Sequence, residues 1–363
     1  MTRGGSTAVR RAIRWLRPPP RLVDWSIFTA VMLATASGVF SFLGVRPAWV
    51  PVFWFHRVVG LTLLVLLAFK LSRVRYRLTR TSQWQASTAL SIATALAAFG
   101  TIGTGIMWVF GYVPELPLIQ FLTVHVAFGL VLVVLMIAHQ RTRFRAPRRV
   151  DFDRRRTTMQ YSVMLVAGAV TYRLQETVNT ALNTPGEDRR LTGSREKKGS
   201  GNGSFPPTAW VADDPDPVDQ SAYRLSVQGA VDSPVELAYD DIDPDTSTEV
   251  LLDCTSGWYT EQEWRGIEVG ELLDLTDPDG DATHVRFVSV TGYRWSLPIE
   301  EARDALLATH VGGERLSHGH GAPLRLVAPG RRGFQWVKWV ERVDVRTRGD
   351  PAQWLVTLIS GFD

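Results

Sequence analysis

Residues 320–339 read HGAPLRLVAPGRRGFQWVKW, and this stretch indicates the fold of the C-terminal half. Apolar runs at Leu324–Val327 and Val337–Val345 predict two β-strands, joined by a turn that contains Gly330 and Gly333. Both glycines would allow backbone amides to approach an anion closely. The basic residues of the stretch are Arg325, Arg331, Arg332 and Lys338. The sequence therefore predicts a strand–turn–strand unit with a local positive cluster.

That cluster stands out because the C-terminal half is otherwise acidic. The 363-residue chain holds 27 basic and 8 acidic residues up to Ser204, but 13 basic and 28 acidic from Phe205 onward. The two parts thus carry net charges of +19 and −15, which excludes a single soluble globule and favours a membrane part joined to a water-exposed part. A domain with one lysine among many carboxylates also fits a halophilic prokaryote, although acidic surfaces have other origins.

The C-terminal part predicts a strand-rich α+β domain over residues 205–363. Short alternating strands, such as Tyr223–Val227 and Val285–Val290, are interleaved with short helical stretches, such as Val269–Leu275. Residues 179–204 are rich in Gly, Ser and charge and predict a surface linker. The sole cysteine, Cys254, excludes an intramolecular disulfide and leaves one soft metal ligand.

The N-terminal part predicts an all-α transmembrane bundle of about five helices over residues 25–178, preceded by a cytoplasmic arm at residues 1–24. Four apolar runs are long enough to cross a bilayer, and a fifth is shorter and less apolar. These runs are Ile27–Val45, Val50–Leu71, Ala86–Phe110, Leu116–Ala138 and Met159–Leu174. Multi-pass insertion in the cell membrane follows from them.

Arginine-rich segments alternate with nearly uncharged ones between these runs. Six arginines precede the first run, four lie between the second and third, and eight between the fourth and fifth. Because short cytoplasmic loops retain Lys and Arg, we expect a cytoplasmic N-terminus. Five crossings would then place the C-terminal domain outside the membrane.

Three histidines of the N-terminal part lie in the second and fourth runs or directly after the fourth. His56 and His125 are at similar depth near the predicted outer face, and His139 follows His125 by 14 residues, close to four helical turns. Imidazoles on adjacent membrane helices are typical axial ligands of a b-type haem, and the pattern resembles membrane cytochromes b. We therefore predict one outer haem. His139 is a candidate for a second haem, but Lys70 stands where its partner histidine would be. The alternative is that these histidines are polar residues satisfied by backbone groups or by Arg57.

Three motifs of the C-terminal part together resemble the molybdopterin-binding domain of the sulfite oxidase family. They are YRLSVQGAV from Tyr223, LDCTSGW from Leu252 with Trp264-Arg-Gly266, and the stretch from His320 to Trp339. The resemblance implies that Cys254 binds molybdenum. It implies pterin contacts for His320, Arg325, Trp336 and Lys338, with Ser289 or Thr291 as a further hydroxyl contact. An anionic pterin would also need the positive charge to which Arg331 and Arg332 contribute, and the backbone amide of Gly333 could approach its phosphate oxygens closely.

The residues after Cys254 refine the predicted activity. Thr255-Ser256-Gly257 follows Cys254, where true sulfite oxidases carry Asn and Arg, so the chain is closer to the bacterial methionine sulfoxide reductase branch. That branch usually has Asn where this chain has His320. We therefore predict a membrane-anchored molybdopterin-dependent oxidoreductase that acts on a small molecule, with sulfoxide-like reduction favoured.

Several alternatives remain at this point. The same parts could run in reverse, as an oxidase that feeds the respiratory chain, or the helices could be only an anchor. A cofactor-free binding domain is a further alternative, and His318-Gly-His320 could mark a zinc or copper site. In the favoured interpretation the partners are the lipid bilayer, quinone or another respiratory-chain carrier, and a small substrate, with no nucleic acid.

Overall fold

The computed structural model describes residues 19–80, 82, 84–114, 116, 120–143, 148, 155–209 and 213–359. It divides into two compact units, Met1–Gly193 and Ser194–Asp363. Most of the predicted N-terminal arm and most of the arginine-rich segment before the fifth run lie outside the described residues. The predicted fold class, a helical N-terminal region followed by a strand-rich α+β domain, is confirmed.

The first unit is helical. Its helices are α1 (Pro20–Ser41), α2 (Val50–Thr79), α3 (Ala86–Phe110), α4 (Phe121–Arg143) and α5 (Arg155–Leu182). Among the described residues, four segments are long and apolar enough to cross a membrane: Pro20–Ser41, Pro47–Tyr76, Ser87–Phe110 and Phe121–Thr142. The fifth predicted run is helical, as part of α5, but does not reach the same apolar character, so its crossing stays a prediction.

Local sequence sets the helix ends. α1 begins at Pro20, where the fixed φ of proline suits the first helical position. α3 ends at Gly111, whose φ of +80° is the left-handed conformation that terminates helices.

Apolar side chains lie both inside and outside the helical unit. Val23, Leu63 and Met136 are buried between helices, whereas Leu96 and Val134 are 65% and 67% exposed. A helix that is apolar on all sides suits a lipid environment, because only its inner face packs on protein.

The second unit contains two sheets. The strands are β1 (Arg195–Glu196), β2 (Arg224–Gly229), β3 (Val235–Ala238), β4 (Thr246–Asp253), β5 (Trp258–Glu268), β6 (His284–Ser289), β7 (Arg294–Pro298), β8 (Leu306–Val311), β9 (Glu314–Arg315), β10 (Arg325–Val327) and β11 (Val340–Arg346). One sheet has the order β1-β5-β8-β10, with β4 paired to β5 and β9 to β8. The other has the order β3-β2-β11-β6-β7. The pairings β1–β5 and β2–β11 are parallel and the rest are antiparallel.

Short helices complete this unit, and they are α6 (Val269–Thr276), α7 (Ile299–Arg303) and α8 (Gln353–Ile359). The core is a single cluster of buried apolar residues, in which Trp264 and Trp295 are the largest fully buried side chains. Alternate residues of β5 are buried, as the period of two predicts for a half-buried strand.

The predicted linker is only partly a tether. The boundary between the units, Gly193/Ser194, falls inside it, but β1 pairs with β5 and the backbone amide of Gly201 donates to Gln262 Oε1 at 3.0 Å. The glycine-rich composition predicted a solvated chain, whereas residues 194–204 pack on the second unit. Backbone hydrogen bonds to a neighbouring strand need no apolar side chains, so composition alone does not reveal them.

Candidate functional site

Cys254 lies immediately after β4, in a tight turn that leads into β5. Its backbone N–H donates to the Trp258 carbonyl at 2.8 Å, and Gly257 N–H donates to the Cys254 carbonyl at 3.1 Å. The turn requires glycine at position 257, where φ is +100°. The cysteine is 8% exposed, and its Sγ is 3.0 Å from Ser256 Oγ. The turn therefore fixes a single buried thiol at the end of a strand.

The loop after β10 packs directly against this cysteine. A Cβ on Gly333 would lie 3.2 Å from Cys254 Cα. Arg332 Nη1 is 2.8 Å from Asp253 Oδ1, and Arg332 Nη2 donates to the Cys254 carbonyl at 3.2 Å. Ser194 Oγ donates to the same Asp253 oxygen at 2.6 Å. This buried ion pair thus holds the backbone of Cys254 in place.

Two buried cations lie near the thiol. Arg325 is 4% exposed, its Nη1 donates to the His320 carbonyl at 3.0 Å, and its Nε has no hydrogen-bond partner among the described residues. Its guanidinium carbon is 5.3 Å from the ring centroid of Trp264 and 5.8 Å from that of Trp336. Lys338 Nζ donates to the Gly319 carbonyl at 2.6 Å.

Burial controls the ionisation of both cations. It lowers the pKa of Arg325 to about 10, against the opposing effect of Cys254. Burial and then the charge of Arg325 lower the pKa of Lys338 to about 7, while Cys254 and Asp213 act in the opposite direction. Buried positive charge without a carboxylate in contact is costly, and an anionic ligand would compensate it.

His320 supports the same region as a neutral imidazole. Burial lowers its pKa to about 4, which outweighs the hydrogen bond to Phe205. Its Nε2 is 3.1 Å from the Phe205 carbonyl, so Nε2 carries the proton, and Nδ1 accepts from Ser317 Oγ at 2.7 Å. His318 Nε2 contacts the Pro215 carbonyl at 2.8 Å. Within the described part of the chain no group of three or more His, Cys, Asp or Glu is arranged to hold a metal ion.

Two of the four cations in the predicted positive cluster form ion pairs with carboxylates in the structure. Arg331 forms an ion pair with Glu301 of α7 at 2.5 Å, and Arg332 pairs with Asp253. The charge of each is therefore compensated within the protein, which leaves Arg325 and Lys338 as the cations available to an anion. Trp336 is buried, and its Nε1 donates to the Arg331 carbonyl at 3.2 Å.

The candidate hydroxyl contacts belong to a small polar group that includes an acid the sequence analysis missed. Ser289 Oγ and Thr291 Oγ1 are 3.1 Å apart, and Asp213 lies close enough to Thr291 for that residue to affect its pKa. Asp213 is 6% exposed, its Oδ1 lacks a hydrogen-bond partner among the described residues, and burial raises its pKa despite Thr291 and Lys338. In the sequence, Asp213 is one of several acidic residues in a proline-rich stretch. Only its burial in the structure sets it apart from them.

A second candidate site lies within the helical unit, between His56 of α2 and His125 of α4. The ring centroids are 6.2 Å apart. His56 Nδ1 is 2.9 Å from the Ala34 carbonyl, and His125 Nδ1 is 2.9 Å from the Thr101 carbonyl. Each Nδ1 therefore carries the proton, and each Nε2 keeps a lone pair.

Glycines make room for both rings. A Cβ on Gly38 would lie 3.2 Å from His56 Cε1, and one on Gly105 would lie 3.0 Å from His125 Cε1. An apolar cavity of about 240 Å³ surrounds the pair and is also lined by Gly60 and Gly129.

The other candidate ligands lie elsewhere. His139 Nδ1 is 3.4 Å from Ser91 Oγ. Lys70 stands where the partner histidine of His139 would be, and its amine forms an ion pair with Asp24 at 2.5 Å.

The fold and the thiol site define a class of enzyme. Residues 212–354 match the family described as oxidoreductase molybdopterin binding domain. The match confirms the molybdopterin-binding oxidoreductase domain of the sulfite oxidase type that the motifs of this part predicted.

The chain is also similar to two curated relatives and to one solved structure. The chain is 31% identical over 154 residues to the protein-methionine-sulfoxide reductase catalytic subunit MsrP of Gluconobacter oxydans, covering 36% of this chain and 49% of that protein. It is 27% identical over 153 residues to the uncharacterized oxidoreductase YuiH of Bacillus subtilis, covering 41% and 77%. It thus spans about half the length of the reductase subunit. The crystal structure of the sulfane dehydrogenase SoxCD from Paracoccus pantotrophus aligns with 26% identity and a TM-score of 0.35, covering 36% of this chain and 40% of that one.

The thiol site fits the cofactor of this family. Cys254 is a buried thiol, a soft ligand of the kind that would suit molybdenum. Arg325, with an unpartnered Nε, and Lys338 are buried cations that would suit an anionic pterin tail.

Proposed function

We propose that this chain reduces a small oxo-acceptor of the sulfoxide type outside the membrane, with electrons drawn from membrane quinol through a b-type haem. The observation that carries the proposal is the buried thiol of Cys254 beside Arg325 and Lys338. The identity to an MsrP catalytic subunit supports reduction over oxidation. The net reaction would be sulfoxide plus two electrons and two protons, giving sulfide and water.

Each residue of the thiol site has a defined task in this proposal. Cys254 would bind the metal, and the Arg332–Asp253 pair would fix the backbone from which it does so. Arg325 and Lys338 would bind the anionic part of the pterin. The bound cofactor would supply oxygen-atom exchange with the substrate, and Thr291, with its neighbour Asp213, would offer hydroxyl and carboxyl groups for hydrogen bonding.

The histidine pair supports the haem component. His56 and His125 would hold the haem iron, and the haem would supply one-electron transfer. The centroids of His56 and His125 are 6.2 Å apart, and both Nε2 lone pairs are available. The carbonyls that bind each Nδ1 would orient the rings, as outer partners of metal-binding histidines do.

The orientation rests on the arginine-rich segments and on a crossing by α5. A cysteine placed at Asp281 in a Cys254→Ser background should react with a membrane-impermeant maleimide on intact cells, whereas one at Thr79 should not. Both positions are exposed in the structure. Labelling of the Thr79 position instead would reverse the orientation.

The proposed function is tested by metal analysis and a pyridine haemochrome spectrum on the purified full-length chain and on Cys254→Ala. We expect molybdenum near one per chain in the wild type and less than a tenth of that in the variant, with unchanged haem. If the protein is produced in a cofactor-competent host and still contains no molybdenum, the proposal is overturned.

A further inference from the structure

A second cavity of the helical unit lies between α1, α2 and α5 and has a volume of about 450 Å³. This is within the range of small-molecule sites, which are typically about 300–1,000 Å³. Most of its lining is apolar, including Trp25, Leu33 and Met164. At one boundary α5 contacts α2 closely, since a Cβ on Gly168 would lie 2.3 Å from Thr62 Oγ1.

The cavity also holds a pair of hydroxyl groups. Ser26 of α1 and Tyr161 of α5 both line it, and Ser26 Oγ donates to Tyr161 Oη at 2.8 Å. Tyr161 thus accepts one hydrogen bond and keeps its own O–H proton to donate. A lipid acyl chain has no acceptor for that proton, whereas a quinone carbonyl does.

The cavity is close to both an ionic cluster and the histidine pair. Asp24, next to the lining residue Trp25, forms ion pairs with Lys70 and Arg73 and interacts electrostatically with Tyr161. Along α1, the centre of this lining stretch is nine residues from the centre of the stretch that lines the histidine cavity. At 1.5 Å per residue, this is about 14 Å along the helix axis.

We propose that this cavity binds the head group of a membrane quinol, with Tyr161 donating a hydrogen bond to a quinol oxygen. Oxidation of the quinol to quinone releases two electrons and two protons. His56 and His125 would hold the haem that accepts these electrons one at a time, and Asp24 would accept the protons. This inference rests on the proposed function, because that function supplies the electron acceptor.

Photo-crosslinking tests the site without depending on the haem. The full-length protein in nanodiscs is irradiated with an azido-ubiquinone, and the labelled peptides are mapped by mass spectrometry. Labels should concentrate in residues 22–33 and 157–165, and excess decylubiquinone should reduce them at least fivefold. Labelling that is spread over the exposed apolar faces and resists competition would identify an ordinary lipid groove and overturn the inference.

Two variants test the chemistry of the cavity. Tyr161→Phe removes one hydroxyl and should slow haem reduction by decylubiquinol about three- to tenfold, the effect of one hydrogen bond. Ala30→Phe fills the cavity and should abolish competed labelling. Tyr172→Phe is the matched control, since it makes the same change 11 residues further along α5 and should leave both readouts unchanged. Equal rates for Tyr161→Phe and the wild type would contradict the role of the hydroxyl.

A dithionite-reduced spectrum of every variant separates this inference from the proposed function. If haem is present and responds to dithionite while labelling is not competed, the cavity assignment is wrong and the haem assignment stands. If competed labelling is found but haem is absent, the quinol site stands and the haem proposal fails.

Discussion

Lys338 is the only lysine of the C-terminal half, and it is buried beside a second cation. The sequence already placed it within the positive cluster. It could not show that Arg331 and Arg332 are compensated by Glu301 and Asp253, which lie 30 and 79 positions away along the chain. Long-range packing decides which arginines form ion pairs with carboxylates. The number of basic residues in a motif therefore overstates its uncompensated charge.

The lowered pKa of Lys338 predicts how the cofactor-free protein responds to pH. The folded pKa is about 7, and the unfolded value is about 10.4, so between these values the unfolded chain binds more protons. The free energy of unfolding should therefore rise with pH from about 7 to 10, by at most about 1.4 kcal/mol per pH unit from this group. Urea unfolding at several pH values, compared with Lys338→Met, measures this contribution.

The variant should lack that part of the slope. Loading with the anionic cofactor should also reduce it, because a bound anion stabilises the charged lysine. Parallel pH curves for the cofactor-free wild type and Lys338→Met would contradict the lowered pKa.

Asp253 carries a prediction on stability. Its side chain and that of Arg332 are 1% and 3% exposed, so Asp253→Ala would leave a buried, uncompensated arginine. We expect a loss of about 3–5 kcal/mol in the free energy of unfolding. The matched control is Asp274→Ala, which breaks the Arg303–Asp274 pair, 37% and 72% exposed, and should cost less than about 1 kcal/mol. Similar losses for both variants in urea titrations would argue against a structural role for the buried pair.

At the scale of elements, hydropathy located the helices well but not all of their ends. The third run was predicted at Ala86–Phe110, and α3 has the same bounds. α1 begins at Pro20 rather than Ile27, because Pro19 and Pro20 start the helix before the apolar run does. α2 continues past Leu71 to Thr79, since arginine stems can cover apolar surface while their charges reach water.

At the thiol site, the sequence shows the features formed by consecutive residues but not the contacts between residues far apart along the chain. The end of β4 and the glycine turn after Cys254 are encoded in seven consecutive residues, LDCTSGW. Asp213 could not be identified from the sequence because Lys338 and Thr291, which lie near it, are 125 and 78 positions away along the chain.

The proximity of His56 and His125 leads to a prediction for haem. His56→Ala or His125→Ala should each reduce the haem content of the purified chain at least tenfold, because each would remove one of the two proposed ligands. His139→Ala, on the same helix as His125, should retain it, since the His139 ring lies near Ser91 rather than in the pair. Pyridine haemochrome spectra measure the content, and equal loss in all three variants would contradict the assignment.

At the scale of the whole molecule, the charge split of +19 and −15 predicted two distinct parts, and the described chain divides into two compact units. One chain that carries both an electron carrier and a molybdenum domain would replace a diffusional encounter with a high effective concentration. The sequence could not place the boundary between the units, because the backbone pairing of residues 194–204 with the second unit leaves no pattern in composition.

The proposed function requires electron transfer from haem to substrate within one chain. The direct test is anaerobic stopped-flow mixing of the purified, haem-reduced protein with methionine sulfoxide. We expect the haem absorbance to return to the oxidised spectrum in the wild type, and to do so at least a hundredfold more slowly in Cys254→Ala. A wild-type protein that holds molybdenum and haem but does not reoxidise with sulfoxide, or a variant that reoxidises equally fast, would contradict it.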